Sequence, residues 1–354
     1  MNYPVGMPSI TKLEIASVAE TLRNGRLTQG AVVREFERRL AILLHVDHVV
    51  ACSSGTAALH LALAAIGLGP GDEVLVPDLS FVATANAVAY TGAKPVLVDV
   101  DPVTWNMDLS DAEGKVTRNT KVILPVHLYG VPCDMDMLHA FAENHDLEII
   151  EDAAEALGGT WKGVPCGTHG LCGTFSFYAN KIITTGEGGA VVTNSEELAE
   201  SLRLLRGQAQ SPIRRFWHGE LGFNYRMSDV HASIGLAQLD RLSEFLTERH
   251  RVMSVYQKEL SGFLQFSVQE GAAPWLFTGV MDCAYTRVQG RMERAGIETR
   301  PVFVPMHRLP MYAAPDAQFL NACRISDNGI SLPTYPGLTD ADVRTIAAHL
   351  IGEA

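Results

Sequence analysis

From residue 48 onward, short runs of β-branched and aliphatic residues alternate with longer segments whose apolar positions recur every three to four residues. HVVACS precedes TAALHLALAAIG, DEVLVP precedes SFVATANAVAYTG, and KPVLVDV follows; TKVILPVH leads into DMDMLHAFAENH, then LEIIED and GTFSFY, and GAVVTN leads into SEELAESLRLLRG. Strands with so few polar positions must be covered on both faces, and the helical segments between them supply that cover. The pattern predicts an α/β domain with a mostly parallel sheet. In such sheets functional residues gather where several strands end.

The stretch from 227 to 262, MSDVHASIGLAQLDRLSEFLTERHRVMSVYQKELSG, predicts a long helix, capped by Ser228 or Asp229, that leaves this domain. WLFTGVM, a helix around TRVQGRMERAG, and IETRPVFVP predict a small α+β domain closed by a last helix at TDADVRTIAAHLIGEA. The expected division is a large domain over residues 1–245 and a small one over 246–354.

Composition narrows the function. With 354 residues, 47% of them hydrophobic, the chain can bury a substantial core. A formal net charge of −12 argues against a general nucleic-acid or anionic-membrane binder, while leaving room for a small anionic substrate in a locally basic cleft. The six cysteines show neither C-x-x-C pairs nor zinc spacing, which favours reduced thiols. The opening MNYPVGMPSI has no signal-peptide pattern and no run reaches the roughly 18 apolar residues of a membrane span, so a cytoplasmic protein is expected.

Three segments carry candidate chemistry. SSGTAALHLALAAIG follows a strand and opens a helix, so the N–H groups near Gly55, Thr56 and Ala57, with the Ser54 and Thr56 hydroxyls, form an anion site; taken alone, it is equally an ordinary capped core helix. LEIIED ends in Asp152, with Glu155 beyond it, where a carboxylate either accepts from a protonated heterocycle or caps a helix. In TFSFYANKIITTGEGG, Ser176 alternates with Phe175 and Phe177, and Lys181 stands before a glycine-rich turn, either as an amine for a carbonyl or as a snorkelling structural lysine. Together the three supply what pyridoxal phosphate needs: a phosphate cradle, an acid for the pyridine nitrogen and an amine for the aldehyde.

SSGTAALHLAL, GDEVLVPDLSFVATANAV, VHLYG, IIEDAAEALGG, FSFYANKIITTGEGG and LGFNYRM resemble the DegT/DnrJ/EryC1/StrS family of sugar aminotransferases over nearly the whole chain. The resemblance implies the PLP-dependent transferase fold type I, its large domain built on a mostly parallel seven-stranded sheet beside a small C-terminal α+β domain. It implies that Lys181 bonds the cofactor, that Asp152 pairs with the ring nitrogen, and that Glu155 sits near the ring oxygen. Phe81 then stacks on the ring, while Ser54, Gly55, Thr56 and Ser176 hold the phosphate. Asn224 of GFNYRM reaches the same phosphate from a neighbouring subunit, which implies a homodimer with shared active sites. Lys181, where some members carry His and dehydrate instead, implies transamination with L-glutamate as donor.

Further segments, among them RLLRGQ, RPVFVPMHRLPMY and SLPT, are similar to the perosamine-forming branch, which aminates C4 of a GDP-4-keto-6-deoxy sugar in deoxyamino-sugar and O-antigen synthesis. SPIRRFWHGELGF departs from that branch, which leaves a 3-keto sugar, or one linked to dTDP or UDP, as the alternative. A non-catalytic, pyridoxal-phosphate-binding regulator is the alternative of another class. For the nucleotide sugar the candidates are His127, Tyr129, Arg226, Arg300 and His307, each equally readable as structural, with Arg214 and Arg215 as candidates for its diphosphate.

Overall fold

The computed structural model describes residues 3–267 and 269–352. Two helices precede the first strand: α1 (Lys12–Arg23), opened by a capping box of Thr11 and Glu14, and α2 (Ala31–Leu44), which turns Val33, Phe36, Leu40 and Leu44 inward at helical spacing. The chain then runs through β1 (His48–Cys52), α3 (Gly55–Ala65), β2 (Glu73–Pro77), α4 (Ala83–Tyr90), β3 (Lys94–Val98), the short α5 (Leu109–Glu113), β4 (Thr120–Ile123), α6 (Met135–His145) and β5 (Glu148–Asp152). A ribbon of β6 (Thr160–Trp161) and β7 (Val164–Pro165) leads to β8 (Cys172–Ser176), β9 (Gly189–Thr193) and α7 (Glu196–Arg206).

These strands form a 7-stranded sheet in the order β1-β9-β8-β5-β4-β2-β3. Only β9 runs against its neighbours, and every other pairing is parallel. Every residue of β2 and β9 is buried, and apart from Glu73 and Thr193 at their ends the runs are apolar, as helices covering both faces require. β5 and β8 lie side by side, with Asp152 opposite Thr174, so Asp152 and Ser176 leave the sheet at the same edge. The alternation in FSFY holds: Phe175 and Phe177 are buried, Phe177 edge-on to Phe36 at 5.2 Å, and Ser176 faces the other way.

The helical stretch expected over 227–262 is two helices, α8 (Asp229–Leu239) and α9 (Leu242–Glu259). At the break Arg241 leaves helical geometry (φ −109°, ψ 3°), and its guanidinium is drawn to Glu14 Oε1 and the Ser9 carbonyl, both at 3.1 Å. The expected boundary after residue 245 falls inside α9. Leu242 and Phe245 pack into the core of the large sheet, while Val252 and Tyr256 pack into a second core. That second core lies under a 3-stranded antiparallel sheet of β10 (Phe277–Val280), β11 (Arg300–Pro301) and β12 (Gly329–Leu332), the last of them central. It is covered by α9, α10 (Thr286–Arg294) and α12 (Asp340–Ile351), with α11 (Leu320–Asn328) feeding β12. Tyr3, from the other end of the chain, completes it and donates its hydroxyl to Asp342 at 2.9 Å. No helix among the described residues is long and apolar enough to cross a membrane. All six cysteines are free.

Candidate active site

A cavity of about 350 Å³ opens where β5 and β8 end and α3 and α4 begin, and it is closed on its far side by Trp275, Arg300 and Phe303. Strand ends supply acid and hydroxyl, helix starts supply free N–H groups, and the second sheet supplies a wall.

The phosphate end is built by close approach. Ser54 caps α3, its hydroxyl accepting from Ala57 N–H at 3.1 Å, which leaves the N–H groups of Gly55 and Thr56 pointing out of the helix start. A Cβ on Gly55 would lie 2.8 Å from Ser176 Cβ and 3.0 Å from its Oγ, so only glycine lets the end of β8 come this near to α3. Gly55→Ala must push the two elements apart. At the usual cost of overpacking, about 1–3 kcal/mol, coenzyme binding measured by absorbance titration should weaken by about tenfold.

The acid end is buried. Asp152 is 4% exposed; Oδ2 accepts from the Thr84 hydroxyl at 2.9 Å and Oδ1 from Ala154 N–H at 3.1 Å. Burial pushes its carboxyl above the ordinary range, more than these hydrogen bonds and the Lys181 charge pull it down. No Lys, Arg or His among the described residues forms an ion pair with it, though a buried carboxylate calls for one. Behind it, Glu151 is held ionised against full burial by His127 and by N–H groups of Gly167, His169 and Gly170 at 2.6–2.7 Å, which fixes the end of β5.

The amine lies between them. Lys181 Nζ is 3.4 Å from Glu155 Oε1 and 3.8 Å above the centre of the Trp275 ring. Burial raises the Glu155 carboxyl above its usual range, opposed by the lysine charge and by Tyr129 N–H, which donates to Oε2 at 2.7 Å. Phe81, half exposed, leans over the opening with its ring 5.9 Å from that of Phe303.

Ser54, Gly55, Thr56, Phe81, Asp152, Glu155, Ser176 and Lys181 therefore all line one cavity, with Arg300 at its rim. The other substrate candidates do not. His127 is fully buried; Nδ1 accepts from Cys133 N–H at 3.0 Å, so Nε2 carries the proton and donates it to Glu151 at 2.9 Å, leaving neither nitrogen for a ligand. Tyr129 is buried outside the cavity, stacked between Trp275 at 6.0 Å and Phe303 at 5.6 Å, and serves through its backbone and ring to place Glu155 and the wall. The next residue, Gly130, has φ 85°, and a Cβ there would sit 1.7 Å from the Ala273 carbonyl. His307 is buried between Asp78 and Asp316, outside the cavity.

Arg226 and Asn224 are exposed and hydrogen-bonded to each other at 3.2 Å, and neither lines the cavity of its own chain. Arg214 and Arg215 lie in an exposed loop over the rings of Trp217 and Phe216. Sequence reasoning missed Thr84, Trp275 and Phe303. Thr84 lies three residues past Phe81 at a helix start, a legible hint; Trp275 reaches Lys181 only through the fold.

The cavity meets the demands of pyridoxal phosphate on three separate counts. It has an anion cradle that a methyl group would fill, a buried carboxylate lacking its cation, and a lysine amine within the same walls.

The family model described as the DegT/DnrJ/EryC1/StrS aminotransferase family matches residues 8–351. The chain is 47% identical to a GDP-perosamine synthase of Caulobacter vibrioides over 91% of its own length and 90% of that protein's. It is 41% identical to a GDP-perosamine synthase of Escherichia coli O157:H7, covering 97% and 96% respectively. Among solved structures, a putative sugar aminotransferase of Streptococcus pneumoniae in its PLP form superposes with a TM-score of 0.95 at 30% identity, over 100% of this chain and 99% of that one.

Proposed function

The chain belongs to the DegT/DnrJ/EryC1/StrS aminotransferase family, and we propose that it moves an amino group from L-glutamate to C4 of GDP-4-keto-6-deoxymannose, forming GDP-perosamine. The reaction class rests on Lys181 sharing one cavity with Asp152 and Glu155 at the sheet edge. The sugar rests on 47% identity to an enzyme of that name across nine-tenths of both chains.

When bound, pyridoxal phosphate supplies an aldehyde that takes up an amine and a ring that accepts the electron pair left by a departing proton. The protein's part is to hold and to move protons. Gly55 and Thr56 N–H groups with the Ser54 and Ser176 hydroxyls hold the phosphate; Asp152, kept in place by Thr84 and Ala154, keeps the ring nitrogen protonated; Phe81 covers the ring face. Lys181 is the amine that would bond the aldehyde, and when free it would take the proton from one carbon and return it to another, acting first as base and then as acid. Glu155 and the Trp275 face hold the free ammonium between these steps. Arg300, on the rim, is placed to meet the anionic nucleotide.

A panel of GDP-, dTDP- and UDP-linked 3-keto and 4-keto sugars offered with glutamate tests the substrate. Amination of the GDP-linked 4-ketone at C4 is expected, with turnover at least about tenfold above the others. Preference for a dTDP- or UDP-linked ketone, or amination at C3, contradicts the assignment.

The active unit we propose is a homodimer in which Asn224 of a second copy completes the phosphate site. What supports it is that Asn224 lies at the surface, outside its own chain's cavity, although its neighbour's carbonyl, Tyr225 O, binds Ser53 N–H at 2.8 Å beside the cradle. Chains carrying Lys181→Ala and chains carrying Asn224→Asp, each inactive alone, should regain about a quarter of normal activity when dissociated and reassembled together, since one site in each mixed pair is then intact. No recovery in mixtures shown to have exchanged subunits counts against a shared site.

A further inference from the structure

We infer that the chain carries a second ligand site: a divalent transition-metal centre of the zinc class, built from His307, Asp316 and Cys323 and separate from the coenzyme cavity. The His307 ring is immobilised on three sides. Its Nδ1 lies 2.6 Å from Asp78 Oδ2, its own backbone N–H donates to Asp78 Oδ1 at 2.8 Å, and its face stacks on Phe319 at 4.5 Å. A carboxylate on one imidazole nitrogen fixes the tautomer and aims the other nitrogen's lone pair outward, as in carboxylate–histidine–metal arrangements.

That second nitrogen, Nε2, points at two further donors, Asp316 Oδ1 at 2.9 Å and Cys323 Sγ at 3.6 Å, and the three donor atoms lie within 4.8 Å of one another. A lone pair facing a carboxylate oxygen at that distance needs positive charge between them, which either an additional proton or a metal ion supplies. With Zn–N and Zn–O near 2.0 Å and Zn–S near 2.3 Å, tetrahedral edges are roughly 3.3 Å for N···O and 3.6 Å for N···S. Cys323 already stands at the required separation from Nε2, while Asp316, whose side chain is 60% exposed and whose Oδ1 also accepts from Arg308 Nε at 3.3 Å, has to turn so that Oδ1 draws back from Nε2 and closes on Sγ to the roughly 3.5 Å of a tetrahedral O···S edge. Mixed nitrogen, sulfur and carboxylate donors favour zinc over magnesium or calcium, which take oxygen throughout.

Arg308 also faces the cluster, with its guanidinium 2.9 Å from Asp316 Oδ2 and 2.5 Å from Asp327 Oδ1. It can keep Asp327 when Asp316 turns to a metal. On binding, the Cys323 thiol gives its proton to the buffer and ligates as thiolate, and the exposed Asp316 side leaves a fourth position for water. The site joins Asp78, just after β2 and two residues before Ser80 of the cavity wall, to α11. The spacing 307, 316, 323 follows no metal motif along the chain, since Asp78's hold on the ring exists only in the fold.

Coenzyme-loaded protein would be stripped with a chelator, desalted, exposed to Zn²⁺ or Mg²⁺, desalted again and assayed for metal per chain, with competition against a chromophoric chelator giving affinity. About one zinc per chain is expected to remain, with magnesium lost. Cys323→Ser and Asp316→Asn should each weaken zinc binding by about tenfold or more, and Cys283→Ser should not. The Asp316 variant alters an exposed side chain and keeps the test valid should the cysteine variant fold poorly. X-ray absorption of the retained zinc should show one sulfur among nitrogen and oxygen neighbours. No retained zinc, equal retention of magnesium, or zinc held unchanged by both variants overturns the proposal.

Discussion

Lys181→Ala should lower turnover by at least about 10⁴-fold, because the residue is asked to do two jobs that no neighbour can take over. General acid–base catalysis alone contributes about 10²–10⁴, and the covalent hold on the coenzyme adds to it. Within the cavity the other ionisable groups are Glu155, which is 3.4 Å from the lysine and already engaged by Tyr129 N–H; Asp152, which is committed to Thr84 and Ala154; and Tyr178, Glu187 and Arg300 among the lining residues. None of them is an amine that can bond an aldehyde. The phosphate cradle does not involve Lys181, so the variant should still bind coenzyme, now without a covalent bond, and should fold normally. Stopped-flow and steady-state assays with glutamate and keto sugar read the loss directly, and turnover within tenfold of normal contradicts the assigned role.

Asp152→Asn should be nearly as damaging to catalysis and should alter stability in the opposite sense. Removing one partner of a buried charge pair costs about 3–5 kcal/mol, which at about 1.36 kcal/mol per decade corresponds to about 10²–10⁴ in rate. Comparing absorbance titrations with turnover splits binding from chemistry here. The stability effect follows from the carboxyl standing above its ordinary range in the coenzyme-free protein, chiefly through burial. An acid whose folded pKa is raised contributes stability below its unfolded pKa, and that contribution is lost as pH rises through the folded value. Coenzyme-free protein should therefore lose thermal stability as pH rises out of the ordinary carboxylate range near 4, with Glu155, also raised by burial, acting in the same direction. In the proposed arrangement the coenzyme's protonated ring nitrogen would supply a partner for Asp152, so the rise in Tm on adding coenzyme should grow with pH. Without coenzyme, Asp152→Asn should be more stable than the unsubstituted chain near neutral pH and show a shallower dependence. A Tm gain from coenzyme that shrinks as pH rises contradicts this reading of the acid.

What could be read from the chain and what could not divides along physical lines. Apart from the short α5 and the β6–β7 ribbon, the strands and helices from residue 48 to 206 follow from local periodicity, because a strand buried on both faces leaves little room for polar residues, as β2 and β9 show with only Glu73 and Thr193 at their ends. That Ser54, Gly55, Thr56, Asp152 and Lys181 gather in one cavity was legible because each sits near a strand end or helix start that the pattern itself locates. α1 was not assigned, although Thr11 and Glu14 mark its capping box. The break between α8 and α9 depends on Arg241 reaching Glu14 more than two hundred residues away, and no local signal records that. The same holds for Trp275 over Lys181.

The histidines were the least legible. His127 and His307 stand among residues that suggest substrate binding, yet a buried carboxylate holds one ring nitrogen of each, Glu151 in one case and Asp78 in the other, and neither ring lines the cavity. Sequence spacing cannot separate a histidine that faces substrate from one that braces the element carrying a substrate-facing residue. Tyr129 shows the same ambiguity resolved the same way: its N–H orients Glu155 while its ring supports Trp275 and Phe303.

The central claim is that Lys181 is the amine bonded to the coenzyme, and reduction with borohydride tests it most directly. Protein loaded with pyridoxal phosphate, reduced, digested and analysed by peptide mass should carry the coenzyme's added mass on Lys181, with the absorbance of the bound form bleached in step. Label on another residue, or no label on protein that has bound coenzyme, would contradict the account.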